Sequence, residues 1–123
     1  MKTFEWLTAA KTRRPFDLLD ITGEVAGALQ ASRIGGGQVT VFAPDPSVKL
    51  LVNEKETGLF RDLKLAVSRV AASVADRRAL LGSSSVVVPA HNGTLHLGPW
   101  QRILLVELEE PATREIVVQI VGE

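Results

Sequence analysis

No cysteine occurs in the chain, which removes disulfides, thiolate nucleophiles and soft thiolate metal sites together. With two histidines in the whole sequence, any metal site would have to be oxygen-rich. Net charge is zero, so no long-range field draws the protein to nucleic acid or to an anionic membrane. Two Trp, four Phe and no Tyr leave few rings for stacking bases, which also argues against nucleic acid as a partner. No apolar run is long enough to span a bilayer, and no membrane partner is expected. Met1-Lys2-Thr3-Phe4-Glu5-Trp6 carries charge where a signal peptide needs an apolar stretch, so the expected compartment is the cytoplasm. The scarcity of Cys and Met, with Arg outnumbering Lys, is a bias found in thermophilic proteins.

What remains is an ordinary globular composition, 46% hydrophobic and 23% charged. At 123 residues it reads as one domain, 1–123, able to bury a core without staples. Thr3 to Ala9 and Phe16 to Leu19 read as strands, separated by the basic turn Lys11-Thr12-Arg13-Arg14-Pro15. Asp20-Ile21-Thr22 opens a helix with Thr22 as its N-cap and Glu24 in the first turn, and Val25, Ala28 and Leu29 face the core. Gly35-Gly36-Gly37 closes it as C-cap and turn. A phosphate loop there would need a following helix and a Lys-Ser/Thr pair, and has neither. Gln38 to Ala43 and Val48 to Val52 are strands around the turn Pro44-Asp45-Pro46-Ser47.

Leu59, Leu63, Ala66, Val67, Val70 and Val74 mark an amphipathic helix. Ser83 to Ala90 and Gly93 to Leu97 flank Asn92-Gly93, a strong hairpin signal. Ile103 to Leu108 and Ile116 to Val121 form a second hairpin across Glu110 to Thr113. The order ββαββαββββ predicts an α+β protein, a mostly antiparallel β-sheet or sandwich with two main helices. The last two strands are nearly continuous apolar runs, which means burial on both faces. Two short helices cover little of such a sheet, so a homo-oligomer is expected, a second copy covering the rest.

The strand before Asn92-Gly93, the run Leu95-His96-Leu97-Gly98-Pro99-Trp100-Gln101 and the closing Thr113-Arg114-Glu115-Ile116-Val117-Val118-Gln119-Ile120-Val121-Gly122 resemble the YjbQ family. Asp20-Ile21-Thr22, Val41-Phe42-Ala43-Pro44, Val52-Asn53-Glu54 and Leu80-Leu81-Gly82 fit the same pattern in order and spacing. The resemblance implies a small α+β homotrimer. It also implies a secondary thiamine-phosphate synthase, joining a pyrimidine pyrophosphate to a thiazole phosphate. The chain departs from that pattern where chemistry is expected. The family's Pro-His-Thr-Thr has its histidine at Asp45, followed here by Pro46 and Ser47. The loop with His-x-x-Gly-Asn is missing, and the histidine seven positions before Gly82 corresponds to Ala75. The family's glycine after Trp-Gln is Arg102.

An imidazole cluster can hold a transition metal or move protons near neutral pH, whereas a lone Asp is an ionised acceptor. The sequence therefore predicts a non-catalytic or weakly active trimeric binding or structural module. The alternative is a thiamine-phosphate synthase-like enzyme in which Asp45, Asn53 and Glu54 converge on Mg²⁺ or Ca²⁺. Asp45 and Glu54 are its catalytic and metal candidates. Ser47, Asn53, Trp100, Gln101, Arg102 and Arg114 are the ligand-binding candidates. Arg102 and Arg114 are expected to share an anion cleft for a small phosphorylated ligand. His91 and His96 flank the Asn-Gly hairpin and read as surface residues.

Overall fold

In a computed structural model the described residues are 1–70, 73–80 and 82–123; Ala71, Ala72 and Leu81 lie outside them. Among the described residues, eight strands and three helices run in the order β1 (Lys2–Lys11), β2 (Leu18–Asp20), α1 (Thr22–Ser32), β3 (Gly37–Phe42), β4 (Val48–Glu54), α2 (Thr57–Val70), α3 (Val74–Leu80), β5 (Ser85–His91), β6 (Thr94–Leu95), β7 (Gln101–Glu107) and β8 (Thr113–Gly122). They build two antiparallel sheets. The larger has the order β1-β8-β3-β5-β6 and the smaller β2-β7-β4. No helix among the described residues is long and apolar enough to cross a membrane.

Strand alternation sends Val39, Val41, Val88, Ile116, Val118 and Ile120 from the larger sheet towards Val48, Leu50, Ile103 and Leu105 of the smaller. Val25, Ala28 and Leu29 of α1 join the same core. The other face of the smaller sheet packs Val106 and Leu108 against Phe16 and Val67, with Leu63 of α2 beside them. So β7 is buried on both faces, as its apolar run requires, and its own chain supplies both covers. The uncovered surface lies elsewhere, on the outer face of the larger sheet.

Several sequence expectations are corrected. The second strand starts at Leu18, because Phe16 takes a left-handed turn (φ 53°) before it. Thr22 is the first helical residue and does not cap α1. Asp20 accepts from the Thr22 N–H, and the Thr22 hydroxyl oxygen accepts from the Ile103 N–H at 2.8 Å, tying α1 to β7. Arg33, at φ 60°, closes α1 in place of the glycines. Gly35 and Gly36 instead donate to the Glu123 carbonyl, at 2.8 and 3.2 Å.

The expected second hairpin does not form: β7 and β8 belong to different sheets. The connection crosses between them because β8 pairs with β1 from Lys11↔Thr113 onward, while Glu107 N–H donates to Asp17 O. The expected long helix is two, α2 and α3, and its stretch across Ala71 and Ala72 lies outside the described residues. The Asn92-Gly93 hairpin does form, with both residues at positive φ (50° and 74°) as a tight two-residue turn demands.

Candidate functional site

Asp45 follows β3 at the point where the chain turns into β4. Its Oδ1 accepts from the Ser47 N–H at 2.9 Å, closing an Asx turn. Its Oδ2 accepts from Arg114 Nη1, also at 2.9 Å. Arg114 stands at the start of β8 and grips Glu107, at the end of β7, with two parallel bonds: Nε to Oε1 at 2.8 Å and Nη2 to Oε2 at 2.9 Å. Glu107 is fully buried, and the Thr12 hydroxyl donates to its Oε1 at 2.6 Å. The cluster continues outward. The Ser47 hydroxyl donates to Glu109 Oε2, and Arg78 of α3 donates to Glu109 Oε1 at 2.5 Å.

Two guanidiniums and three carboxylates thus alternate along one network, with one negative charge in excess. Burial pushes the Asp45 carboxyl up, but the Ser47 amide and hydroxyl and the Arg114 guanidinium outweigh it and hold it below the usual carboxylate range. The hydrogen bonds to Glu107 lead the effects that hold Arg114 more firmly protonated than usual. Every charged group of this cluster has a partner, and Ser47 faces a carboxylate already paired with Arg78.

A second polar site lies at the other end of β7. Arg102 Nε donates to Asp20 Oδ2 at 2.7 Å, while Asp20 Oδ1 accepts from the Thr22 N–H at 3.0 Å. Lys55 Nζ lies 4.0 Å from the same Oδ2. Burial pushes Asp20 up, and the bonds from Thr22 and Arg102 bring it down to a net lowering. Thr22 and Arg102 open onto a groove of about 450 Å³ between α1, through Ala26 and Gln30, and the β6–β7 connection, through Leu95 and Leu97. Gln101 lies in its wall, its side-chain oxygen accepting from the Gly98 N–H at 2.8 Å. Trp100 is 76% exposed beside it.

The candidates therefore divide. Asp45, Ser47 and Arg114 meet at one end; Trp100, Gln101 and Arg102 meet at the other. Asp45 and Glu54 do not converge. They sit at opposite ends of β4, whose six residue steps at about 3.3 Å separate them by roughly 20 Å. Glu54 is exposed, and the Asn53 side-chain oxygen accepts from the Glu54 N–H at 2.8 Å. Among the described residues no group of three or more His, Asp or Glu could hold a metal ion, so the expected Mg²⁺ or Ca²⁺ site at Asp45, Asn53 and Glu54 has no geometric basis. Nor do Arg102 and Arg114 share a cleft: Arg114 grips Glu107, five residue steps or roughly 17 Å along β7 from Arg102. His91 and His96 are both exposed.

Sequence reasoning missed Glu107, Glu109, Thr12, Arg78 and Asp20. Glu107 carried a signal, a carboxylate inside the apolar run Ile103 to Leu108, since such a charge is buried only when paired.

The family model described as "UPF0047 protein YjbQ-like" matches residues 7–123. A UPF0047 protein of Archaeoglobus fulgidus is 34% identical over 122 residues, covering 89% of this chain and 94% of that protein. One from Methanothermobacter thermautotrophicus is 33% identical over 126 residues, covering 92% and 88%. Among solved structures, a YbjQ-like protein of unknown function from Sulfolobus solfataricus superimposes with TM-score 0.90 at 30% identity, covering 99% of each chain. A hypothetical protein from Aeropyrum pernix gives 0.88 at 29% identity over 100% of each.

Proposed function

Because the chain belongs to the UPF0047 (YjbQ-like) family, we propose that it is a self-assembling binding or structural module of that family with weak or no catalytic activity. One observation carries this reading. Asp45, where the resemblance puts a histidine, is engaged by Arg114, which is itself locked to buried Glu107. Helix α3, which carries Ala75, is tied to the Asp45 turn through Arg78. Two positions at which the resemblance puts imidazoles thus lie at the same end of the molecule and hold an ion-paired carboxylate and a methyl group. A carboxylate already ion-paired to a guanidinium that is itself forked onto a buried glutamate does not supply the neutral imidazole nitrogens that ligate a transition metal or shuttle protons.

Assembly as a homotrimer belongs to the same proposal. Its support is the outer face of the larger sheet, where Leu7, Phe42 and Val87 are 62%, 42% and 57% exposed. Val117 lies between Leu7 and Phe42 in the strand register, so these three form a continuous row, while Val87 lies opposite Thr40 in a neighbouring one.

The reading is tested with the purified full chain, by metal analysis and by an assay for thiamine phosphate from the pyrimidine pyrophosphate and thiazole phosphate with Mg²⁺ present. The expected result is no stoichiometric metal and no turnover above the protein-free rate. Turnover that disappears in Asp45→Ala, with the variant still folded, overturns it.

A further inference from the structure

We propose that the groove between α1 and the β6–β7 connection binds a small organic oxyanion, a phosphate monoester or carboxylate with a short apolar body, and that Arg102 takes the charged head. This does not rest on the reading above, since the groove lies at the opposite end of β7 from the Asp45 network.

The head-group site follows from how Arg102 is held. Asp20 joins Arg102 and Thr22 through the two oxygens of one carboxylate, which fixes the guanidinium beside the first turn of α1. Asp20 takes only Nε; both Nη groups are without a protein partner among the described residues. A planar fork with a free Nη1/Nη2 edge and a fixed orientation is suited to two oxygens of one anion.

The local charge favours that occupant. Arg102 and Lys55 against Asp20 leave one net positive charge. The two cations face solvent, with side chains 45% and 66% exposed, while the carboxylate behind them is 10% exposed. An approaching anion meets the cations first. The positive end of the α1 dipole lies on the same side, with Glu24 of its first turn set against it. Farther along, the groove changes character. Ala26 from the helix and Leu95 and Leu97 from the facing segment supply apolar surface, and Gln30 is polar. A site with a cation at one end and an apolar floor beyond it selects an amphipathic anion over a bare one. At about 450 Å³ it suits a small molecule rather than a macromolecule. Arg102 is also the residue that stands where the resemblance puts a glycine, so the site is a property of this chain and not of the pattern it resembles.

The test is an amide NMR titration of the full wild-type chain with n-butyl phosphate, butyrate, inorganic phosphate and butanol. Butyl phosphate or butyrate should give saturable shifts confined to residues 22–26 and 94–102, and the tighter of the two identifies the head group. Inorganic phosphate should bind ~10-fold more weakly, and butanol should give no saturable shift. Arg102→Gln should weaken binding at least ~10-fold with an otherwise unchanged spectrum, whereas Arg13→Gln, on the β1–β2 turn, should bind as the wild type. Absence of saturation with both organic anions overturns the proposal. So does equal binding by inorganic phosphate, or unchanged affinity in Arg102→Gln.

Discussion

Arg114 and Glu107 face each other across the β7–β8 connection in a two-bond fork, with the Glu107 side chain fully buried and that of Arg114 11% exposed. The pair ties the end of one sheet to the start of the other. Removing one partner leaves an uncompensated charge in the interior, which costs about 3–5 kcal/mol. Glu107→Gln and Arg114→Met are each expected to lower stability by that order, measured by urea denaturation. Replacing both residues with apolar ones is expected to cost less than the sum of the single changes, because no orphaned charge remains. Additive losses would show that the fork acts as two independent contacts.

Asp45 and Asp20 set the acid limb of stability. Both are held below the ordinary carboxylate value in the folded chain. A depressed folded-state value means the unfolded chain takes up protons first as pH falls. The stabilisation is therefore complete above about pH 5 and disappears as pH drops through 4 and below. Chemical denaturation at stepped pH should give a plateau from neutrality to about pH 5 and a decline beneath it. Asp45→Asn should lower the plateau and make the decline shallower. An equally steep decline in the variant would assign the acid limb to other groups.

Much of this architecture is visible in the residue order. Val25, Ala28 and Leu29 announce the buried face of α1, and Asn92-Gly93 announces its hairpin, because both are local signals. The apolar run of β7 correctly implied two covered faces, but its covers are the larger sheet and Val67 of α2, partners distant in sequence. The mistaken β7–β8 hairpin has the same origin: a short connection suggests pairing, yet β1, more than a hundred residues upstream of β8 at its Lys2↔Gly122 end, competes for that edge. For the site, the sequence singled out Asp45, Ser47 and Arg114, and the fold brings them together. That Asp45 and Glu54 stand apart was legible too, since the strand read at Val48 to Val52 lies between them and an extended strand separates its flanks. What no local pattern encodes is the partner of Asp45, because Arg114 reaches it from a strand about seventy residues away.

Gly122 allows the end of β8 to lie against the Gly36-Gly37 backbone. A Cβ on Gly122 would run into the Gly36 carbonyl oxygen and the Gly37 Cα, both backbone atoms that cannot swing aside. Gly93 differs: nothing lies within 4 Å of its Cβ position, and only its φ of 74° favours glycine. Gly122→Ala is expected to cost about 2–4 kcal/mol and Gly93→Ala about 1 kcal/mol, read from thermal or urea midpoints. Equal costs would mean that the β8 end shifts easily to make room.

The row Leu7–Val117–Phe42 on the outer sheet face gives the assembly proposal its sharpest test. Leu7 and Phe42 project away from the core, so charged substitutions there should leave the fold of the single chain intact. Burying such side chains between copies stabilises association by roughly 1.5–3 kcal/mol each, so removing two of them should shift dissociation by about two to four orders of magnitude. Leu7→Lys with Phe42→Lys is therefore expected to convert a trimer to monomers in sedimentation velocity at micromolar protein, with an unchanged far-ultraviolet circular dichroism spectrum. Because the contact is apolar, wild-type assembly should survive high salt, which screens exposed ion pairs. A wild-type chain that sediments as a monomer at every concentration, or a trimer indifferent to both substitutions, would remove this face from the interface.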